Sequence, residues 1–336
     1  MPSQQKLATL NEQFAIEGHL QFNATGDLIV ADITNQQATA SIALQGAQVL
    51  SWAAKREAKG GAERGANEQQ PLIWLSDEAT FIAGKTIRGG IPVCWPWFGA
   101  HPDREDYPAH GFVRAAVWDV IETSTTAAGQ TNIVFRLPQT QVPPALWSHN
   151  TELELHVSAG ATLELNLITR NHGLETVTIS QALHSYFAVS DINDVTVKGL
   201  EGCQFIDALD DWQRKVEITL ICIDAEIDRI YQDTQPVCSL EDKGWQRRIN
   251  IETNNSRSTV VWNPWIDKSA RLGDMGEGGY LNMLCIETGN IADDRVSIAA
   301  GAEHCLSVCY RIAKPSANSS LRRSTSSCLG FSESEA

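Results

Sequence analysis

Residues 87–114 contain the densest group of side chains that could bind an anion. Among them, Arg88, Arg114 and His110 lie in sequence rich in glycine, proline and tryptophan. Glycine lets the backbone approach a ligand closely, proline restricts the chain, and a guanidinium makes forked hydrogen bonds to a carboxylate or a phosphate. This combination predicts a preorganised pocket for an anionic ligand.

Two further side chains, His184 and Glu287, could transfer protons. His184 follows a run whose strand alternation places it on the same face as Ser180 and Ala182, which are small enough to leave room for a ligand. Glu287 ends an apolar run just before Gly289. Desolvation there would raise the pKa of the carboxyl and a nearby cation would lower it, so Glu287 is a candidate general base. The alternatives are a surface or hydrogen-bonded histidine and a strand-end glutamate turned to water.

A third candidate, Asp228, is either a ligand-binding carboxylate or half of a local ion pair with Arg229. The sequence does not separate these two interpretations. Tyr186 and Phe187 could form a wall of the pocket beside the candidate histidine. The indole of Trp262 could stack on the apolar face of a sugar ring, although indoles serve hydrophobic cores equally well.

The elements that must position these residues are mainly strands. Leu153, Leu155 and Val157 alternate with polar residues, and a second alternating run follows the small residues 158–161, which predicts a hairpin. Further strands are predicted at residues 39–44, 47–52, 131–137, 177–184, 258–262, 283–287 and 305–311. Strands follow one another without long helical patterns between them, which favours an all-β, antiparallel β-sandwich with a few short helices, one of them at residues 76–81.

Composition divides the chain into three parts. We expect an N-terminal arm at residues 1–19 and a single β-sandwich domain at residues 20–313. Within that domain, residues 55–70 are charged, glycine-containing and poor in apolar side chains, and they predict a solvated insertion. Residues 314–336 are rich in serine and cannot bury enough apolar surface to fold, so we expect a disordered tail.

Charge and cysteine content exclude several classes of partner. The formal net charge of -15 disfavours nucleic acid and anionic membrane surfaces, so an anionic substrate must be held by local cations. The sequence contains no run of about twenty apolar residues, so we predict no membrane span.

Cysteines are scattered and no secretory signal opens the chain, which predicts a cytoplasmic location. Cys305 and Cys309 share a strand face, but without a second ligand pair we predict no metal site. A monomer is expected.

Six motifs occur in one order along the chain. They are Arg-Gly-Gly-Ile-Pro at 88–92, His-Gly-Phe-Val-Arg at 110–114, Leu-His-Ser-Tyr-Phe at 183–187, Asp-Arg-Ile-Tyr at 228–231, Val-Trp-Asn-Pro-Trp at 261–265 and Cys-Ile-Glu at 285–287. Each motif is weak alone, but the six in register resemble the glucose-6-phosphate 1-epimerases. These are the hexose-6-phosphate mutarotase branch of the aldose 1-epimerase superfamily, and the resemblance runs from about residue 20 to residue 312.

This resemblance implies a galactose-mutarotase-like supersandwich that binds sugar on the open face of a large antiparallel sheet, without a metal or organic cofactor. The implied reaction interconverts the α and β anomers of a hexose 6-phosphate, with D-glucose 6-phosphate as the expected small-molecule partner. By position, the resemblance makes His184 the acid and Glu287 the base. The implied substrate-binding residues are Arg88, Arg114, Asp228 and, as a secondary sugar contact or pocket organiser, His110.

Three other functions remain open at this stage. The first is an aldose 1-epimerase that acts on unphosphorylated sugars, with the arginines paired to internal carboxylates. The second is a non-catalytic carbohydrate-binding or regulatory protein, although binding alone needs no acid and base. Glycoside hydrolysis by a carboxylate pair such as Asp228 and Glu287 is the third, and it leaves His184 and the arginines without roles.

Overall fold

The computed structural model describes residues 4–55 and 70–315. These residues contain two α-helices, α1 (Gln4–Phe14) and α2 (Trp265–Leu272). The strands are β1 (Leu20–Thr25), β2 (Leu28–Thr34), β3 (Ala38–Ala43), β4 (Gln48–Ala54), β5 (Val93–Cys94), β6 (Asp119–Thr125), β7 (Thr131–Arg136), β8 (Thr151–Ala159), β9 (Leu163–Asn171), β10 (Val177–Ile179), β11 (Gln181–Leu183), β12 (Tyr186–Ala188), β13 (Val195–Lys198), β14 (Gln204–Asp207), β15 (Gln213–Val216), β16 (Ile227–Gln232), β17 (Val237–Asp242), β18 (Arg247–Asn254), β19 (Ser258–Asn263), β20 (Met283–Asn290), β21 (Val296–Ile298) and β22 (Glu303–Ala313). Short 3-10 helices lie at Val113–Ala115, Gln139–Gln141, Ile192–Asp194, Gly279–Asn282 and Ala292–Asp294.

Two eight-stranded sheets dominate the architecture. Sheet I has the strand order β15-β14-β16-β19-β20-β11-β5, with β12 also paired to β20. Sheet II has the order β13-β17-β18-β22-β9-β8-β7-β6, while β1 to β4 form a four-stranded sheet and β10 pairs with β21. Neighbouring strands run antiparallel throughout sheets I and II. The predicted all-β antiparallel sandwich is therefore confirmed.

The main hydrophobic core lies between the sheets and takes alternate residues from each. Leu155 and Leu167 of sheet II and Ile286 of sheet I are fully buried in it. Burying such a side chain stabilises the fold by about 1.5–3 kcal/mol. The opposite face of sheet I, which we call its outer face, carries a second buried cluster that includes Tyr186 and Trp262. Sheet I is thus covered on both faces where the candidate site residues emerge.

Most predicted strands are confirmed, but the strand predicted at residues 177–184 is interrupted. It forms two strands, because β10 pairs with β21 whereas β11 pairs with β20 and β5. Between them, the Ser180 hydroxyl accepts a hydrogen bond from the backbone N–H of Phe98 at 2.9 Å. This contact joins the end of β10 to the glycine- and proline-rich loop after β5.

The helix predicted at residues 76–81 is wrong. The backbone N–H of Ser76 donates to the carbonyl of Arg88 at 3.2 Å, and its hydroxyl donates to the carbonyl of Asp274 at 2.7 Å. These long-range bonds hold the segment in a turn. Conversely, residues 1–19 contain helix α1, which the sequence analysis did not predict. Its buried Leu10 and partly buried Phe14 pack on the main core, and their helical spacing was the available signal.

Two predicted segments lie largely outside the described residues. Apart from its end residues, Lys55 and Gln70, the predicted insertion is not described, and neither is the predicted tail beyond Pro315. Among residues 4–55 and 70–315, neither helix has the length and apolar character that a membrane crossing requires.

Gly111 fixes the loop that carries two candidate site residues, His110 and Arg114. It forms a parallel bridge with Trp95, and its φ of +75° lies in the left-handed region. A Cβ atom at this position would lie 1.7 Å from the Trp95 carbonyl oxygen. Only glycine allows this approach, which holds the loop against the chain that follows β5.

Gly111→Ala is therefore expected to lower the free energy of unfolding by about 4 kcal/mol or more, because a backbone clash adds to the cost of the left-handed conformation. Gly18→Ala is the matched control, since Gly18 has a φ of +70° and open space around it. The control should lose only about 1–2 kcal/mol. Urea unfolding monitored by tryptophan fluorescence measures both values, and equal losses would contradict the close approach at Gly111.

Candidate active site

The outer face of sheet I gathers candidate residues that are far apart in the sequence. On β20, Cys285 and Glu287 point to the same face, because alternate residues of a strand share a side. Trp262 of β19 lies opposite both Cys285 and, on its other neighbour β16, Asp228. His184 directly follows β11, which also pairs with β20. The strand register therefore brings Asp228, Trp262, Glu287 and His184 to one surface.

His184 and Glu287 are in direct contact at the centre of this surface. The Nε2 atom of His184 lies 3.3 Å from Oε1 of Glu287. Both residues are buried, with His184 8% exposed and Glu287 1% exposed. The backbone N–H of His184 donates to the Pro92 carbonyl at 2.9 Å, which fixes the chain beside β5. The sequence-based alternatives of a surface histidine and a water-facing glutamate are wrong for this pair.

Burial shifts both groups towards their neutral forms. It raises the pKa of Glu287 well above the usual value of 4.5; the Asp228 carboxylate raises it further, and the Arg114 cation opposes the shift. Burial also lowers the pKa of His184 well below 6.5, and His110 and Arg114 add to this effect. Both shifts favour an uncharged pair, in which the imidazole is neutral and the proton lies on the carboxyl.

Two buried atoms of the pair lack hydrogen-bond partners within the described part of the chain. They are Nδ1 of His184 and Oε2 of Glu287. Buried polar atoms are nearly always hydrogen-bonded in folded proteins, so unpaired ones call for an explanation. Polar groups of a ligand on the outer face could supply the missing partners.

Arg88 lies at the edge of this surface and is held by two contacts. Its Nε donates to Oδ1 of Asp274 at 2.9 Å, and its Nη1 donates to the Tyr186 hydroxyl at 3.0 Å. Arg88 therefore pairs with a carboxylate of the chain, a half-exposed one. Because a guanidinium has five N–H groups and these bonds use two, donors remain for a ligand. The side chain is 23% exposed, so a ligand can reach it.

Arg114 and His110 come from the loop held by Gly111. Nη2 of Arg114 donates to the Ala109 carbonyl at 2.8 Å, while its Nε is buried without a hydrogen-bond partner among the described residues. Nδ1 of His110 accepts from the Gly99 N–H at 3.3 Å. Burial, followed by the charges of Arg114 and Arg88, lowers the pKa of His110 to about 3. A neutral His110 therefore carries its proton on Nε2 and can donate it to a ligand.

Asp228 contacts a cation that the sequence analysis did not identify. Its Oδ2 lies 3.4 Å from Nζ of Lys268. The predicted alternative, an ion pair with Arg229, is wrong because Arg229 lies on the other face of β16 and binds Glu217 at 3.0 Å. Burial raises the pKa of Asp228, and Lys268 opposes this shift. Lys268 lies on α2, and its Nζ is also 5.8 Å from the Trp262 ring centroid, so the contact is a tertiary one that no local sequence pattern marks.

The aromatic residues also divide between the two faces of sheet I. The Tyr186 ring stacks on the His184 ring, with centroids 4.8 Å apart and planes 12° apart. Trp262 meets His184 edge to face at 6.0 Å. Phe187 points the other way and packs against Tyr310 in the main core, so it does not form the predicted wall.

Over residues 4–55 and 70–315, no cluster of three or more His, Cys, Asp or Glu side chains could hold a metal ion.

The site can therefore perform acid-base chemistry on two neighbouring oxygen atoms. A buried imidazole and a buried carboxyl lie in contact at its centre. The remaining side chains, from Arg88 and Arg114 to His110 and Asp228, offer hydrogen-bond donors and an acceptor at its edges. Such a set suits a hydroxylated ligand that carries a negative charge.

Comparison with known proteins agrees with this chemistry. Residues 30–311 match the family Aldose 1-epimerase. An Escherichia coli (strain K12) protein called "Putative glucose-6-phosphate 1-epimerase" is 37% identical over 264 residues, which cover 78% of this chain and 82% of the relative. A Cenchrus ciliaris protein with the same name is 31% identical over 259 residues and 74% of each chain.

Solved structures show the same relationship. A crystal structure from Salmonella typhimurium, described as a "putative mutarotase", superposes with a TM-score of 0.80 at 28% identity over 90% of this chain and 96% of the other. A Synechocystis protein at 16% identity and a TM-score of 0.68 shares the fold. The chain accordingly belongs to the aldose 1-epimerase family and is an isomerase of the mutarotase type.

Proposed function

We propose that this enzyme interconverts the α and β anomers of D-glucose 6-phosphate, with His184 as the acid and Glu287 as the base. The observation that carries the proposal is the buried contact between these two side chains, 3.3 Å apart, on a surface edged by Arg88 and Arg114. The names of the Escherichia coli and Cenchrus ciliaris relatives support the choice of substrate.

The reaction breaks and re-forms one bond of the sugar ring. The Glu287 carboxylate removes the proton from the C1 hydroxyl, and the released electron pair forms the C1 carbonyl bond. The bond from C1 to the ring oxygen breaks, and the ring oxygen takes a proton from His184. Rotation about the C1–C2 bond turns the other face of the aldehyde to the ring oxygen, and closure with the two roles reversed gives the opposite anomer.

The short distance between acid and base follows from this chemistry. The C1 hydroxyl oxygen and the ring oxygen are both bonded to C1, so the groups that serve them must also be neighbours. The reactive form has the carboxylate on Glu287 and the extra proton on His184, which is one of the two arrangements of the shared proton. General acid-base assistance of this kind is typically worth about 10² to 10⁴ in rate.

The edge residues bind the rest of the substrate in this proposal. The free N–H groups of Arg88 and the guanidinium of Arg114 attract the 6-phosphate through charge-assisted hydrogen bonds. Asp228 accepts from a sugar hydroxyl, and Nε2 of His110 donates to another oxygen. Holding both ends of the sugar fixes C1 against His184 and Glu287, which reduces the entropic cost of reaching the reactive geometry.

One observation favours a second candidate, a mutarotase for unphosphorylated aldoses. The charge of Arg88 is already matched by Asp274 at 2.9 Å, so the site is not strongly cationic without ligand. Exchange between the anomers at equilibrium, followed by NMR, separates the candidates. Much greater acceleration of glucose 6-phosphate than of glucose or galactose supports the proposal, equal acceleration of all three supports the second candidate, and no acceleration of any sugar refutes both.

His184→Ala and Glu287→Gln are each expected to lower kcat for glucose 6-phosphate by about 10² or more, because each removes one partner of the proton transfer. Equilibrium NMR exchange measures kcat, and circular dichroism checks that the variants remain folded. Near-normal turnover by either folded variant would refute its assigned role.

Arg88→Ala is expected to raise KM for glucose 6-phosphate by about tenfold or more, through loss of charge-assisted hydrogen bonds, and to change turnover of glucose little. Arg214→Ala is the control, since Arg214 pairs with Asp293 in an exposed position. The control should leave both substrates unaffected. A similar loss for glucose and glucose 6-phosphate in Arg88→Ala would argue against a phosphate contact.

The pH profile of kcat/KM should be flat through pH 6.5, after subtraction of the spontaneous rate. Because the pKa of His184 is lowered below 6.5, the pair takes up a second, inactivating proton only at more acidic pH. Because the pKa of Glu287 is raised well above 4.5, the pair loses its last proton only well above that pH. A single titration at the usual imidazole pKa would show that the two groups do not act as a pair.

A further inference from the structure

Tyr186 touches both ends of the proposed site. Its ring stacks on the His184 imidazole at 4.8 Å, and its hydroxyl accepts a hydrogen bond from Nη1 of Arg88 at 3.0 Å. One side chain thus contacts the proposed acid and the proposed anion-binding arginine. Neither contact is visible in the sequence, where Arg88 and Tyr186 are 98 positions apart.

The Tyr186 side chain is held rigidly between these two contacts. It is 3% exposed, and Trp74 stacks near it with centroids 5.8 Å apart and planes 22° apart. Trp262 meets it edge to face at 6.0 Å. The backbone is fixed too, because its N–H donates to Gly90 and its carbonyl accepts from the Trp74 N–H, at 3.0 and 2.9 Å. A ring packed in this way has little freedom to move independently of its neighbours.

Asp274 and the Tyr186 hydroxyl both hold the Arg88 guanidinium, and together they set its orientation. The Asp274 carboxylate accepts a hydrogen bond from Nε of Arg88. The backbone carbonyl of Asp274 in turn accepts a hydrogen bond from the Ser76 hydroxyl at 2.7 Å. With Nε held by one group and Nη1 by another, the planar guanidinium has one orientation. Without the Tyr186 hydroxyl, only the hydrogen bond to Asp274 would hold the guanidinium, which could then rotate and lose its alignment with a ligand.

We propose that Tyr186 is a positioning residue that orients Arg88 for the anionic group of the substrate through its hydroxyl and orients the His184 imidazole through its ring. Its two functions are chemically separable. The hydroxyl serves binding of the phosphate, whereas the ring serves proton transfer at C1. This inference rests on the proposed function, because it assigns parts of one side chain to the two ends of the same substrate.

Two substitutions separate the two functions. Tyr186→Phe keeps the stacked ring and removes the acceptor for Arg88, so KM for glucose 6-phosphate should rise about tenfold with kcat changed less than about threefold, and turnover of glucose should be unchanged. Tyr186→Leu also removes the stack on His184, so kcat should fall about tenfold or more for either sugar. NMR exchange measures kcat and KM for each variant and sugar.

Tyr231→Phe is the matched control, because Tyr231 is also a buried tyrosine whose hydroxyl bonds a charged residue, Glu217, at 3.1 Å. It should lose stability without any change in KM. The inference is overturned if Tyr186→Phe leaves KM for glucose 6-phosphate at the wild-type value, or if it weakens turnover of glucose and glucose 6-phosphate equally. Equal kcat for Tyr186→Leu and Tyr186→Phe would overturn the role of the ring.

A binding measurement separates failure of this inference from failure of the proposed function. If the wild-type enzyme accelerates no sugar, the proposed function fails, and calorimetric titration with inorganic phosphate then tests the hydroxyl alone. Binding weakened about tenfold in Tyr186→Phe supports its role in orienting Arg88. Binding that is absent from the wild-type protein, or equal in the two proteins, overturns that role.

Discussion

The site depends on the burial of an acidic and a basic side chain in contact with each other. Burying an isolated carboxylate or imidazolium is costly, but a buried pair that shares one proton can stay neutral overall. Sheet I makes this arrangement possible because both of its faces are covered. The main core supports the strands from below, and the aromatic cluster of the outer face shields His184 and Glu287 from water. The same burial favours the neutral imidazole and the protonated carboxyl, so the reactive arrangement, with the proton on His184 and the carboxylate on Glu287, forms against these pKa shifts.

Two arginines, Arg88 and Arg114, supply the positive charge near this pair. The chain has a formal charge of -15, so an anionic ligand must be held by local cations. Arg114 lies close enough to lower the pKa of Glu287, whereas Arg88 is held by Asp274 and Tyr186. The two arginines therefore differ in their surroundings. In the proposed function, these arginines bind a sugar whose charge lies at the end opposite to C1.

Much of the architecture was predictable because strand periodicity is a local property. The alternating leucines of β8 and β9 predict a hairpin with one buried face, and the structure confirms it. Errors arose where long-range contacts overrode local patterns. Residues 76–81 form a turn because Ser76 bonds Arg88 and Asp274, and the strand predicted at residues 177–184 divides because its halves pair with different strands. Helix α1 was not predicted because the helix is short and most of its residues are polar.

The sequence by itself determined the residue types, the buried faces of strands such as β8 and β9 and, through six ordered motifs, the family. Alternation places His184 beside Ala182 and Glu287 beside Cys285 whatever the tertiary fold, because the side-chain period of a strand is two. Only the tertiary structure decided which of these residues meet. The contact between His184 and Glu287 depends on the register of β20, and the pairing of Arg88 with Asp274 spans 186 positions. Partner choice over such distances is set by strand pairing and core packing, which no local pattern encodes.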